Sequence, residues 1–132
     1  MSRFLHTMIR VGDLDRALAF YTGPLGMREL RRRDVPDGEY TLVFVGYDDG
    51  SNAEIELTYN YGRAAYDHGT AFGHLAIGVP DVAPACGRVR AAGGRVTREP
   101  GPVKFGNTVI AFVEDPDGYK IELIQQGAQG DA

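Results

Sequence analysis

The chain repeats itself. His6, Ile9, Val11, Asp13 and Ala17 recur as His74, Ile77, Val79, Asp81 and Ala85, each 68 residues further on, and Phe44 recurs as Phe112 with the same offset. A turn two residues shorter in the second copy then brings Ile121, Glu122 and Leu123 onto Ile55, Glu56 and Leu57. A repeat of this length constrains the fold more than composition does, because each copy has to be one supersecondary unit. Leu5 to Val11 and Gly73 to Val79 read as opening strands, and Asp13 and Asp81 follow them as N-caps of helices. Leu14, Ala17, Leu18 and Tyr21 keep helical spacing until Gly23 and Pro24, as do Val82, Ala85, Cys86, Val89 and Ala92 until Gly93 and Gly94. Three strand-like runs follow in each copy, the last two joined by YDDGSN or EDPDG.

The expected fold is therefore α+β, with tandem βαβββ modules whose mixed sheets form a curved cleft. Its parts are a first module over 1–60, a linker over 61–72, a second module over 73–126 and a tail over 127–132 that is expected to fray, all within one domain, 1–132. Whether two modules pair within one chain or across a dimer is open at this level.

Composition narrows the function classes. No apolar run approaches the roughly 20 residues needed to span a bilayer, and the opening MSRFLHTMIR lacks the apolar core of about 7–15 residues found in a signal peptide. A cytoplasmic protein without a membrane partner is expected. Cys86 is the only cysteine, which excludes an intrachain disulfide or a thiolate zinc cluster and suits a small buried hydrophobe. The net charge of −4, without a basic stripe, argues against nucleic acid as a partner. Arg31, Arg32 and Arg33 form the one basic run and read as a solvated strand end.

Strand alternation then picks out a site. His6, Met8 and Arg10 share one face of their strand, as do His74, Ala76 and Gly78; Glu56, Thr58 and Asn60 lie opposite to Ile55, Leu57 and Tyr59, and Glu122 is flanked by Ile121 and Leu123. Taken singly, a strand histidine is usually a satisfied core group and a strand glutamate is usually exposed. The duplication changes the balance, because a carboxylate set between aliphatic residues in both copies needs a partner or a metal. Two imidazoles and two carboxylates suit a six-coordinate borderline ion such as Ni, Co, Zn or Fe, with two positions left for water or substrate oxygens. They do not suit a closed structural zinc site.

Around these residues the chain resembles glyoxalase I, the lactoylglutathione lyase family of the vicinal-oxygen-chelate superfamily, in its short bacterial form. The matching stretches run from Leu5 to Gln125: LHTMIRVGDLDRALAFYTGPLGM, LVFVGY, IELTYNYG, GTAFGHLAIGV, GGRVTREPGPVK and TVIAFVEDPDGYKIELI. The resemblance implies that His6, Glu56, His74 and Glu122 bind one divalent metal per site, with nickel favoured, cobalt next and zinc last. It implies the glutathione hemithioacetal of methylglyoxal as substrate and S-lactoylglutathione as product, by proton transfer through an enediolate, with Glu122 as base and Glu56 as its rival. It also implies a homodimer with sites at the subunit interface and glutathione contacts at Arg10 and Asn60. Lys104, in REPGPVKFGN, is a further candidate for the substrate's carboxylates. Longer family members carry an arginine shortly before the second histidine, where this chain has Ala71, Phe72 and Gly73. His68 reads as a surface residue.

Two rival readings remain. An epimerase acting on a coenzyme A thioester would use the same proton shuttle, but a glutamine commonly replaces one carboxylate there and this chain has Glu56. A non-catalytic module that sequesters a drug often loses the metal residues, and this chain keeps all four.

Overall fold

The computed structural model describes residues 1–51 and 53–127; the tail expected to fray falls, from residue 128 on, outside the described residues. The chain divides into two compact units, Met1–Asp67 and His68–Ala132. Each holds the expected βαβββ order, so the α+β reading and the duplication are borne out.

In the first unit β1 (His6–Arg10) leads into α1 (Leu14–Thr22), followed by β2 (Arg28–Val35), a short 3-10 turn (Pro36–Gly38), β3 (Tyr40–Gly46) and β4 (Glu54–Asn60). The sheet order is β1-β4-β3-β2, with β1 parallel to β4 and the other pairs antiparallel. The second unit repeats this with β5 (Leu75–Val79), α2 (Val82–Ala91), β6 (Arg95–Pro102), β7 (Val109–Glu114) and β8 (Lys120–Gln125), in the order β5-β8-β7-β6. Among the described residues, no helix is long and apolar enough to cross a membrane.

Period-two alternation gives each sheet two unlike faces. Ile9, Val11, Val43, Val45, Ile55 and Leu57 are buried on one face of the first sheet, with Ala17, Phe20 and Tyr21 of α1 also buried. Ile77, Val79, Ala111, Val113, Ile121 and Leu123 do the same in the second unit, where α2 buries Val82, Ala85, Cys86 and Val89. Fully burying one such aliphatic side chain contributes about 1.5–3 kcal/mol, so the helix-covered face fixes the register and leaves the other face for polar side chains. Cys86 is buried as expected, and desolvation pushes its thiol pKa up.

The two helix starts differ from the symmetrical expectation. The Asp13 carboxylate accepts a hydrogen bond from the Arg16 backbone N–H at 3.0 Å and caps α1. Asp81 occupies the N-cap position of α2, but its side chain makes no capping bond; the Gln125 side-chain oxygen accepts from the Val82 N–H at 3.1 Å instead. A residue at the end of β8 thus takes a role that local sequence assigned to the aspartate.

Candidate metal centre

Parallel pairing of β1 with β4 sets Met8 opposite Glu56, so His6, Met8, Arg10, Glu56, Thr58 and Asn60 lie on the face away from the core. His6 Nε2 and Glu56 Oε1 are 3.0 Å apart. In the second unit Ala76 lies opposite Glu122, and His74 Nε2 and Glu122 Oε1 are 3.1 Å apart. Both carboxylates are largely covered, at 15% and 17% side-chain exposure, whereas the imidazoles are 32% and 43% exposed. Each pair is therefore anchored on its acid and open at its ring.

The spacing fits a shared ion as well as a hydrogen bond. Ligands on adjacent vertices of an octahedron, with bonds of about 2.1 Å, lie roughly 3.0 Å apart. Among the described residues the donors occur as pairs, and His, Cys, Asp or Glu side chains form no metal-holding group of three or more. Each unit by itself supplies half of the donor set expected from the sequence.

The surroundings repeat and then diverge. Phe44 on β3 meets the His6 ring edge-to-face at 5.1 Å, and Phe112 on β7 meets His74 at 5.4 Å, so an aromatic wall orients each imidazole. A bulge in β2 brings Arg31 opposite Phe44, and an irregularity in β6 brings Arg98 opposite Phe112. The Arg31 guanidinium lies 3.9 Å over the Phe44 ring and pairs with Glu54 at 2.7 Å. Arg31, Arg32 and Arg33 are all exposed on β2, as the sequence reading expected, and Arg31 in addition packs on the site face. Arg98 instead donates to the carbonyls of Gly101, Ile110 and Pro102 and braces β6.

The carboxylates also differ. The Thr58 hydroxyl, in a residue only 8% exposed, donates to Glu56 Oε2 at 2.9 Å. The matching position two residues beyond Glu122 is Ile124, which has no donor.

The expected substrate contacts are distributed over both units. Arg10 and Asn60 lie on the His6 face, and the Asn60 amide donates to the Tyr66 hydroxyl at 2.9 Å. Lys104 sits in the exposed turn after β6, its ammonium 5.1 Å from the Phe105 ring. An open groove of about 550 Å³ beside His74 is lined by residues including Thr97, Arg98, Phe112 and Lys120, and Lys104 is not among them. His68 is half-buried rather than on the surface, because its ring stacks at 4.2 Å on Tyr119. Sequence reading passed over Phe44, Phe112, Thr58 and Tyr66. Alternation placed Thr58 on the site face, but the hydroxyl that serves Glu56 is a tertiary fact.

Comparison with known proteins gives the family. Residues 3–123 match the family described as Glyoxalase/Bleomycin resistance protein/Dioxygenase superfamily. The lactoylglutathione lyase of Haemophilus influenzae is 65% identical over 93% of this chain and 92% of its own length. The glyoxalase I structure from Zea mays superposes with a TM-score of 0.90 at 55% identity over 95% of this chain, which spans only 45% of the maize protein. The trypanothione-dependent glyoxalase I of Leishmania major gives a TM-score of 0.82 at 50% identity, over 95% of this chain and 87% of that one. With two copies of the module, a His–Glu pair in each and these relatives along nearly its whole length, the chain belongs to the Glyoxalase/Bleomycin resistance protein/Dioxygenase superfamily, within its glyoxalase I branch.

Proposed function

We infer that the chain is a lactoylglutathione lyase, a carbon–sulfur lyase that converts the hemithioacetal of methylglyoxal and glutathione into S-lactoylglutathione and so removes methylglyoxal. The observation that carries this is the duplicated His–Glu pair, at 3.0 Å and 3.1 Å, in a chain 65% identical to a lactoylglutathione lyase over 93% of its length.

The family is metal-dependent, and we propose His6, Glu56, His74 and Glu122 as the ligands, with nickel favoured, cobalt next and zinc last. Imidazole with carboxylate is a donor set that borderline ions of this series accept. We further propose a homodimer, as the resemblance to glyoxalase I implies, in which the His6 and Glu56 half of one chain would meet the His74 and Glu122 half of the other. Residence in the cytoplasm is the compartment we propose for it.

When bound, a divalent cation supplies positive charge against the two adjacent oxygens that become negative as the enediolate forms. The protein's own groups move the proton and hold the substrate. Glu122 takes the proton from the carbon that bears sulfur and returns it to the neighbouring carbon, while the hydroxyl proton on the first carbon's oxygen passes to the second carbon's oxygen, so the reaction is an isomerisation with no atom gained or lost. Glu56 is the rival for this role, and the Thr58 hydroxyl bonded to its Oε2 restrains that carboxylate, which leaves Glu122 the freer of the two to move. Arg10 and Asn60 receive the carboxylates and amides of glutathione, with Lys104 as a further cation for them.

The test is to strip the protein of metal, restore nickel, cobalt or zinc separately, and follow thioester formation from methylglyoxal and glutathione, with Glu122→Gln beside the wild type. Activity with nickel or cobalt, less with zinc, and loss in the variant are expected. No thioester with any metal that binds would overturn the assignment and direct the search to other thiols and thioesters.

A further inference from the structure

The segment after β4 builds a second polar device on the site face of the first unit. Asn60 accepts the Arg63 N–H through its carbonyl at 3.1 Å, and Gly62 between them has φ +81, the left-handed conformation that this reversal requires. The chain then folds back until the Ala64 carbonyl lies where a Cβ at Gly12 would fall, at 1.9 Å, two residues beyond Arg10. This return brings the Tyr66 hydroxyl to the Asn60 amide at 2.9 Å and sets the Arg63 guanidinium 4.4 Å over the Tyr66 ring. Among the described residues, no carboxylate lies within ion-pair reach of Arg63. Arg63 is therefore a cation held in place by a ring, with its charge unspent, beside an amide that faces the same way as Glu56.

We propose that Arg63, steadied by Tyr66, binds a carboxylate of the peptide thiol and fixes how far that peptide extends from the reacting carbon. The inference rests on the function proposed above. Asn60 is four strand residues beyond Glu56, or roughly 13 Å at about 3.3 Å per residue. The thiol of glutathione is on its middle residue, and the γ-glutamyl linkage sets the α-carboxylate eight bonds from sulfur, roughly 10 Å when extended, so a thiol reacting beside Glu56 can bring that carboxylate toward Asn60 and the longer reach of Arg63. Guanidinium is suited to that end, since its planar fork matches a carboxylate and stays charged.

The test compares the metal-loaded wild type with Arg63→Ala and Arg63→Lys on two adducts of methylglyoxal, one with glutathione and one with N-acetylcysteamine, which has a thiol but no carboxylate. For the glutathione adduct, Arg63→Ala is expected to raise KM roughly three- to tenfold with kcat unchanged, the loss of one exposed charge-assisted contact. Arg63→Lys should recover part of that, and KM for the N-acetylcysteamine adduct should not move. An equal rise with both adducts, or with neither, overturns the proposal. If the wild type turns over neither adduct, the function fails separately, and calorimetry with glutathione itself still decides: weaker binding to Arg63→Ala supports the subsite, equal binding removes it.

Discussion

The Thr58 hydroxyl donates to Glu56 Oε2 at 2.9 Å, and Ile124 stands in the corresponding place beside Glu122. A twofold repeat has been made unequal at one atom. Thr58→Val keeps the shape and removes the donor, so Glu56 should hold metal about tenfold more weakly, at the lower edge of what loss of an outer-shell partner usually costs. Thr58→Ser should restore it. Metal titration of the three proteins checks this.

The same asymmetry supports Glu122 as the group that transfers the proton. Glu122→Gln in the metal-saturated enzyme should lower kcat by about 10²–10⁴, the usual contribution of a positioned base. Glu56→Gln should lower it less once metal loading is matched. Steady-state kinetics with metal content measured on each sample decides the order, and an equal loss in both would give the two carboxylates equal parts.

Gly12 permits the return of residues 62–66. An alanine there would place its Cβ 1.9 Å from the Ala64 carbonyl oxygen, which neither backbone accommodates without moving. Gly12→Ala should destabilise the fold by about 1–3 kcal/mol, as other overpacked sites do. It should also weaken glutathione binding by displacing Tyr66. Denaturant unfolding and a binding titration read the two effects separately.

Gln125 caps α2 in place of Asp81. Gln125→Ala should cost about 1 kcal/mol, a typical loss for a helix cap, and Asp81→Ala clearly less. Equal losses in denaturant unfolding would show the aspartate to be the working cap.

Burial raises the Cys86 pKa, so its thiolate is disfavoured in the folded protein. Thiol reagents should react slowly with the native chain and quickly after unfolding. A group whose folded pKa is raised leaves stability intact below the ordinary thiol range and costs stability as pH rises through it.

The repeat made the architecture legible. One offset tied the opening strands, the helices and the Phe44 and Phe112 strands together, a turn two residues shorter brought the closing strands into line, and period-two alternation put His6, Glu56, His74 and Glu122 on polar faces. What the chain did not disclose depends on residues far apart in sequence. The Gln125 cap joins the end of β8 to the start of α2, the Phe44 and Phe112 walls need strand register to meet their histidines, and His68 is covered by Tyr119, which follows the EDPDG turn. The segment from Tyr61 to Phe72 reads as a plain linker because its order comes from Gly12, Asn60 and Tyr119, none of them within it.

The proposed ligand set takes one histidine from each copy of the repeat, His6 and His74. Nickel binding to the wild type, His6→Ala and His74→Ala, measured by calorimetry with metal content determined on the same samples, tests it most directly. One tight ion per site is expected in the wild type, with at least about tenfold weaker binding in both variants. Unchanged nickel affinity in either variant would contradict it.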